Sequence, residues 1–360
     1  MPSFRTAEVV EILAERHGLQ RVRVRFDAAP SAAAPPAAEA PGVPPAAGDR
    51  AYVLTELTGE VAVGDRVVCN TTAVDLGLGT GGWHVVHWNL AREGFHRSGP
   101  DHVMKLRYTS LQFDAGTSEL GHPDLPVQLD GTPVVACLVH SQVGMVALAL
   151  KQLRPELRVA YVMTDGAALP LALSDLVHSL RERSLLDVTV TAGHAFGGEL
   201  EAVSVPSALT LARHVGGADV VVVGMGPGVV GTGTALGHSA IEAASVLDAA
   251  LAMDGTPVLA VRASSGDARP RHQGISHHTR TVARFTASRP WVASVPPEAA
   301  ELPGVRVFEP EARLDAGMLL DDVDLRITTM GRDHTEDALF FDATAAAAQV
   351  AVASCDGDLS

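Results

Sequence analysis

The chain has 360 residues, which is enough for two domains of ordinary size. Its 47% hydrophobic and 19% charged residues support a sizeable buried core and exclude a globally disordered protein. The formal net charge is −15 at pH 7, so the surface repels phosphate backbones and anionic lipids. Nucleic-acid and membrane partners are therefore disfavoured.

The cysteine content and the N-terminus indicate a cytoplasmic protein. Cys69, Cys137 and Cys355 lie far apart and form neither a CxxC pair nor a disulfide framework, as in a reduced protein. The first 18 residues are charged and amphipathic, unlike a signal peptide. No segment has the roughly 18–20 uninterrupted apolar residues that a membrane helix needs. Whether the chain forms a homo-oligomer is left open.

Residues 1–125 are predicted to form a small β-barrel-like domain. The segment RVRVRF alternates charged and apolar residues, which is typical of a half-exposed strand. The segment VAVGDRVVCN at 61–70 has the strand–turn pattern of small closed barrels. Residues 28–48 are almost entirely Ala, Pro, Glu and Gly, so we expect a mobile surface loop there. The predicted strands of this domain are 21–26, 51–57, 59–70, 75–90 and 102–112.

Residues 126–350 are predicted to form a Rossmann-like, doubly wound α/β domain, with a tail at 351–360. Apolar strands alternate there with helices, which predicts a mostly parallel sheet with right-handed crossovers. Residues 234–255 are predicted to form one long helix. The predicted strands are 131–141, 157–166, 186–199, 218–228 and 256–264, with further strands at 279–285, 305–310 and 323–331.

Ligands of such sheets bind beyond the carboxyl ends of the strands, and the loop after the fourth strand is the richest in glycine. Its glycines allow backbone N–H groups to approach an anion, and the N-terminus of the following helix would favour negative charge. The spacing Gly-x-Gly-x-x-Gly formally matches a dinucleotide fingerprint, but the next strand ends in Arg262 instead of an acidic residue. The candidate ligand-binding residues are Gly226, Gly228, Gly231, Thr232, Gly233 and Thr234, together with Asp165 in the loop after the second strand.

A second candidate site is the polar run SSGDARPRHQGISHHT at 264–279. Two arginines and three histidines in an acidic protein favour a phosphate or carboxylate ligand. Histidine coordination of a metal is the alternative, although HxxxxHH is no standard zinc spacing, and no metal ligand is assigned. A polar interface loop is the third interpretation. The candidate ligand-binding residues are Arg269, Arg271, His272 and His278, and His277 is a candidate general acid or base.

Two further groups are weaker candidates. His194 follows the third strand and Glu199 lies nearby, which is the minimum for general acid–base catalysis, although a structural histidine is the more common explanation. Ser141 beside His140 lacks the preceding glycine of a nucleophile elbow, so a serine hydrolase is disfavoured. Lys105 and Arg107 share one face of the predicted strand 102–112. They are expected either to clamp an anionic ligand or to pair with acidic residues.

Four segments together resemble a bacterial family of proteins with a domain of unknown function, number 3866. They are HVMKLRYTSLQ, GPGVVGTGTALGHS, RPRHQGISHHT and TTMGRDHTEDALFFDATAAAA, and the resemblance extends from about residue 5 to residue 350. It implies a cytoplasmic protein of one family, with 28–48 as an insertion, and it implies no reaction, cofactor or catalytic residue.

The sequence therefore predicts a protein that binds a small anionic metabolite in the α/β cleft. Catalysis by histidine acid–base chemistry is left open, and so is the cofactor. The alternatives are a non-catalytic ligand sensor or oligomeric assembly module and, third, a nicotinamide-dependent oxidoreductase.

Overall fold

The computed structural model describes residues 2–27 and 49–359, so the predicted mobile loop at 28–48 lies outside the described residues. The chain divides into two compact units. One comprises Met1–Pro100 with Leu106–Asp114, and the other Asp101–Lys105 with Ala115–Ser360. The predicted boundary of independently folding domains at residue 125 stays a prediction.

The first unit contains a closed five-stranded barrel, which confirms the predicted β-barrel-like domain. Its strands are β1 (Phe4–Arg16), β2 (Leu19–Phe26), β3 (Asp49–Leu54), β4 (Arg66–Asn70) and β5 (Trp83–Asn89). They follow one another round the barrel in the order β1-β2-β3-β5-β4. The inward residues Val22 and Val24 are fully buried, because alternate side chains of β2 point into the barrel. Two single-turn helices complete these elements, α1 (Thr55–Thr58) and α2 (Thr72–Asp75).

The strand predicted at 102–112 is wrong. Only β6 (Met104–Lys105) is extended there, and the next short strand is β7 (Phe113–Asp114). Leu106 and Tyr108 adopt positive φ angles of 51° and 62°, in the left-handed region that ends a strand. The backbone between them therefore does not alternate its side chains, and Lys105 and Arg107 do not share one strand face.

The second unit contains an eight-stranded sheet in which every pairing is parallel, which confirms the Rossmann-like α/β prediction. The strands of this unit are β8 (Pro133–Ala136), β9 (Val159–Thr164), β10 (Val188–Ala192), β11 (Leu200–Ala202), β12 (Val220–Met225), β13 (Thr256–Leu259), β14 (Ala263–Ser264), β15 (Gly274–Ile275), β16 (Trp291–Ala293) and β17 (Arg306–Phe308). Of these, β14 and β15 pair with each other in a separate hairpin, and the other eight form the sheet. Their order across the sheet is β11-β10-β9-β12-β8-β13-β16-β17. Fully buried valines and alanines fill the central strands, as burial on both faces requires.

Helices connect these strands and cover the sheet. They are α3 (His140–Leu153), α4 (Asp175–Glu182), α5 (Val205–Thr210), α6 (Glu242–Ala252), α7 (His277–Phe285), α8 (Ala316–Val323) and α9 (Ala338–Asp356). A π-helical turn at Leu211–Val215 extends α5. By length and composition α9 could cross a membrane, but 61% of its apolar window is buried, which fits a core helix of a globular protein.

Three predictions for this unit are wrong. Residues 279–285 lie in α7 instead of a strand, because the Ser276 hydroxyl accepts a hydrogen bond from the backbone N–H of His278 and caps a helix. Residues 323–331 form no strand in the described chain beyond one isolated bridge, Thr329 with Arg332. The helix predicted at 234–255 begins only at Glu242. In addition, α9 continues to Asp356, into the predicted tail.

Candidate functional site

The sheet reverses its winding direction beside β8 and β12. From β8 the chain passes through α3 to β9 on one side, whereas from β12 it passes through α6 to β13 on the other. Ligands of open α/β sheets bind at such a switch point, outside the carboxyl ends of the strands. The loops after these two strands border a cavity of about 260 Å³. This is just below the usual size of small-molecule sites.

The lining of this switch-point cavity is positively charged. It contains the guanidinium groups of Arg262 and Arg326 and the hydroxyl groups of Ser141 and Thr328, and the described lining contains no carboxylate. Arg262 follows β13 and is only 4% exposed, and burial lowers its pKa to about 10. Arg326 is exposed and forms no ion pair within the described residues. In a chain with a net charge of −15, this cavity is a local site of positive charge.

His140 holds the wall of the cavity in place. Its Nδ1 donates a hydrogen bond to the carbonyl oxygen of Met225 (3.0 Å), and its Nε2 accepts one from the Ser174 hydroxyl (2.7 Å). Burial lowers the pKa of His140 to about 4, so the ring is neutral at pH 7. Gln142 adds a second link, since its side-chain amide donates to the carbonyl oxygen of Ala260 (3.2 Å). These bonds join the loop after β8 to the ends of β12 and β13.

Four imidazoles gather beside the cavity, and we call His238, His272, His277 and His278 the histidine cluster. The rings of His238 and His278 stack with centroids 4.0 Å apart, and His272 lies 4.9 Å from His277. Burial, followed by the positive charge of Arg262, lowers the pKa of His272 to about 3 and that of His278 to about 2. The pKa values of the other two are also lowered, chiefly by burial. All four rings are therefore neutral at pH 7.

The glycine loop and the polar run 264–279 meet at this cluster. His238 ends the glycine loop, and the Arg271 guanidinium lies against Gly233, where a Cβ would be 3.5 Å from Cζ. Gly233 also has a φ of +83°, so a side chain there would be strained. Arg271 is exposed and forms no ion pair within the described residues.

Arg269 is engaged elsewhere. Its guanidinium forms two hydrogen bonds to Asp267, of 2.8 and 2.6 Å, and holds the pKa of that carboxyl well below its usual range. Arg332 bridges Asp267 (3.3 Å) to the fully buried Asp337 (3.1 Å). The Arg269 charge is thus balanced by the buried carboxylate of Asp267, in contrast to the charge of Arg271.

A model of the family described as "Protein of unknown function (DUF3866)" matches residues 50–348, which is most of the chain. The chain belongs to the DUF3866 family. The resemblance to this family is thereby confirmed over residues 50–348, and the matched region contains the cavity and the histidine cluster. The family description assigns no reaction. No curated protein and no solved structure is significantly similar to the chain.

Within the DUF3866 region, the glycine loop is not positioned as predicted. The hydroxyl groups of Thr232 and Thr234 lie 2.9 Å apart and bond the backbone of Gly237, so they close a turn. They do not cap α6, which begins only at Glu242, after the loop. Gly226 packs against the carbonyl oxygens of Ala167 and Ala168, where a side chain has no room. A Cβ at Gly228 would lie 3.3 Å from the backbone nitrogen of Ala168, which is tight, whereas Gly231 has ordinary space for a Cβ.

His194 and Glu199 are not brought together. His194 follows the end of β10, and its backbone N–H donates to Asp165 (3.1 Å). The Glu199 carboxylate pairs with Arg181 (2.6 Å) and accepts from the backbone of Thr189 (3.0 Å), near the start of β10. Strand β10 is four strand spacings from β13, which is about 19 Å. His194 therefore lies apart from the histidines that follow β13, whereas Asp165 follows β9, the neighbour of β12.

Lys105 is enclosed and its charge is paired. Its side chain is 1% exposed, and the ammonium group donates to Glu201 (2.5 Å) and to the carbonyl oxygens of Thr191 (3.3 Å) and Ala195 (2.5 Å). These three acceptors use all three donors of an ammonium group. Arg107 belongs to the other compact unit and is exposed.

Sequence reasoning missed three residues of the site. His238 was included in the predicted helix 234–255, and Arg326 and Thr328 in the predicted strand 323–331. The signal for His238 was its place at the end of the glycine loop. Nothing in the local pattern around Arg326 indicated a cavity, because its neighbours there come from distant parts of the chain.

Proposed function

We propose that the protein binds a small anionic metabolite, carrying a phosphate or carboxylate group, in the switch-point cavity. The observation that carries this proposal is a pair of guanidinium groups, Arg262 and Arg326, in a described lining without a carboxylate. Guanidinium groups bind carboxylates and phosphates with two parallel hydrogen bonds, which suits a planar or tetrahedral anion.

The remaining lining supports the same ligand class. The Ser141 and Thr328 hydroxyl groups are further donors for anionic oxygens. The cavity volume of about 260 Å³ suits a compact metabolite better than a dinucleotide, which argues against the nicotinamide alternative. The net charge of −15 disfavours nucleic acid and anionic membranes as partners, which leaves the small ligand as the proposed partner.

The proposal assigns binding and no reaction. His140 is the titratable imidazole of the lining, and both of its ring nitrogens are engaged in hydrogen bonds that fix the loop. The cavity therefore favours a ligand sensor without catalytic activity.

Calorimetric titration of the full chain with inorganic phosphate and with malonate tests the proposal. Arg326→Gln removes one charged hydrogen-bond donor, worth about 1.5–3 kcal/mol, so we expect binding to weaken by about 10- to 150-fold. Arg313→Gln is the matched control, because Arg313 is also exposed and in the same unit but outside the cavity. Equal affinities of the two variants, or no binding of either anion by the unaltered chain, would refute the proposal.

A further inference from the structure

Three imidazoles of the histidine cluster converge on one point. His238 comes from the end of the glycine loop, and His277 and His278 open α7. One ring nitrogen of each lies within 4.8 Å of one nitrogen of each of the others. Two separate segments of the chain thus supply three nitrogen donors to a single small volume.

Two of these rings carry a buried nitrogen that has no hydrogen-bond partner. His238 is 5% exposed, and its Nε2 donates to the carbonyl oxygen of Ala235 (3.1 Å), so the ring proton is at Nε2. Its Nδ1 then presents a lone pair, and this atom is buried without a partner. The Nε2 of His277 is likewise buried and unpartnered. Unpaired buried polar atoms are costly and uncommon, so two of them on neighbouring rings of one cluster indicate a ligand.

We propose that His238, His277 and His278 bind a divalent transition-metal ion, with Zn²⁺ as the reference case. Neutral imidazole is a preferred ligand of zinc, and three histidines leave a fourth position open for water or an anion. The hydrogen bond from His238 to a backbone carbonyl is the outer contact that commonly orients a metal-binding histidine. This inference is independent of the anion proposal, since it rests on other side chains.

His278 connects the metal site to the switch-point cavity. Its Nδ1 accepts a hydrogen bond from the Arg262 guanidinium (2.8 Å), and Arg262 lines the cavity. Its ring also stacks on that of His238 at an interplanar angle of 13°, so coordination of both by one ion requires one ring to rotate. Coordination of the ion through Nδ1 of His278 requires this bond from Arg262 to open.

The charges around the histidine cluster determine which kind of fourth ligand the metal ion would have. Arg262 and Arg271 are cations beside the cluster, and Coulomb repulsion weakens the binding of a bare dication there. An anionic fourth ligand offsets this repulsion. The site is therefore suited to a metal ion that holds an anion, such as hydroxide or carboxylate, in its open position.

The test is metal binding by the full chain after removal of metals with a chelator. We expect calorimetry to give one Zn²⁺ per chain, and Co²⁺ to give the visible absorption of a low-coordinate nitrogen site. His238→Ala and His277→Ala should each weaken Zn²⁺ binding by at least about 100-fold, the upper end of the effect of outer-shell changes. His178→Ala is the matched control, since His178 lies on the exposed face of α4 beside Glu182.

Thermal denaturation provides the second measurement. Zn²⁺ should raise the melting temperature of the unaltered chain and of His178→Ala, and leave that of His277→Ala unchanged. If the buried His238 proves necessary for folding, the half-buried His277 still supplies the test. Failure of the unaltered chain to take up stoichiometric Zn²⁺, or uptake that persists in His277→Ala, would overturn the proposal. Phosphate binding in the Arg326 experiment is measured without metal, so either proposal can fail alone.

Discussion

The buried ion pair of Lys105 and Glu201 yields the sharpest stability prediction. Lys105 is 1% exposed and Glu201 is 16% exposed, and their charged atoms lie 2.5 Å apart. Glu201 also accepts hydrogen bonds from the Thr191 hydroxyl and the Gly197 backbone, both at 2.7 Å. Substituting Lys105→Met leaves a buried carboxylate without its cation, and breaking such a pair costs about 3–5 kcal/mol. We expect urea denaturation at pH 7 to register a loss of that size.

A second substitution distinguishes the cost of the unpaired Glu201 carboxylate from the cost of lost side-chain packing. Glu201→Gln in the Lys105→Met background removes the negative charge and keeps an acceptor oxygen, so it should restore at least half of the lost free energy. Arg154→Met is the control, because Arg154 forms a solvent-accessible pair with Asp356 and its loss should cost less than about 1 kcal/mol. A loss below about 1 kcal/mol for Lys105→Met, or no recovery in the double variant, would refute the reasoning.

Three other predictions follow from buried groups. The pKa of His140 lies at about 4, below its ordinary 6.5, so the folded state resists protonation and loses stability as the pH falls from 6.5 to 4. Urea denaturation measures how far the free energy of unfolding falls between pH 7 and pH 4. This fall should be about 3 kcal/mol larger for the unaltered chain than for His140→Gln, and equal falls would contradict the prediction. Burial raises the pKa of Cys69 to about 12 and that of Cys137 further, so both thiols stay protonated and unreactive. Mass spectrometry after iodoacetamide treatment of the native chain should therefore find label only on the exposed Cys355. Asp337 is fully buried and accepts hydrogen bonds from five donor groups on four residues. Asp337→Ala should therefore cost about 3–5 kcal/mol on urea denaturation, and a cost under about 1 kcal/mol would count against this network.

The fold class was predictable because both units carry local periodic signals. Alternating residues predicted strand β2, and apolar runs bounded by turns predicted the central parallel strands. The errors arose where local pattern and tertiary structure disagree. The segment 279–285 alternates like a strand, yet the capping hydroxyl of Ser276 and the packing of α7 make it helical. The left-handed backbone at Leu106 and Tyr108 has no signal in residues that normally avoid it.

The candidate site was predictable only in part. The rule for parallel sheets indicated that the loops after β12 and β13 lie at one edge, and Arg271 does contact the glycine loop. The burial of individual side chains could not be inferred, so Lys105 was treated as available to a ligand although it is enclosed. His238 and Arg326 acquire their neighbours from distant segments, and a single sequence carries no record of those contacts.

Helix α9 has a consequence for the order in which the second unit forms. It packs against α3 and against β8, β13 and β16, with the buried alanines 345–348 allowing a close approach. The central strand β8 precedes every other strand of its sheet along the chain, whereas α9 is the latest helix of the described residues. On the ribosome, the apolar part of the sheet over β8, β13 and β16 therefore stays uncovered until residues 338–356 have emerged, and the nascent unit is exposed to aggregation during that interval. The barrel needs only residues up to β5 and can close much earlier.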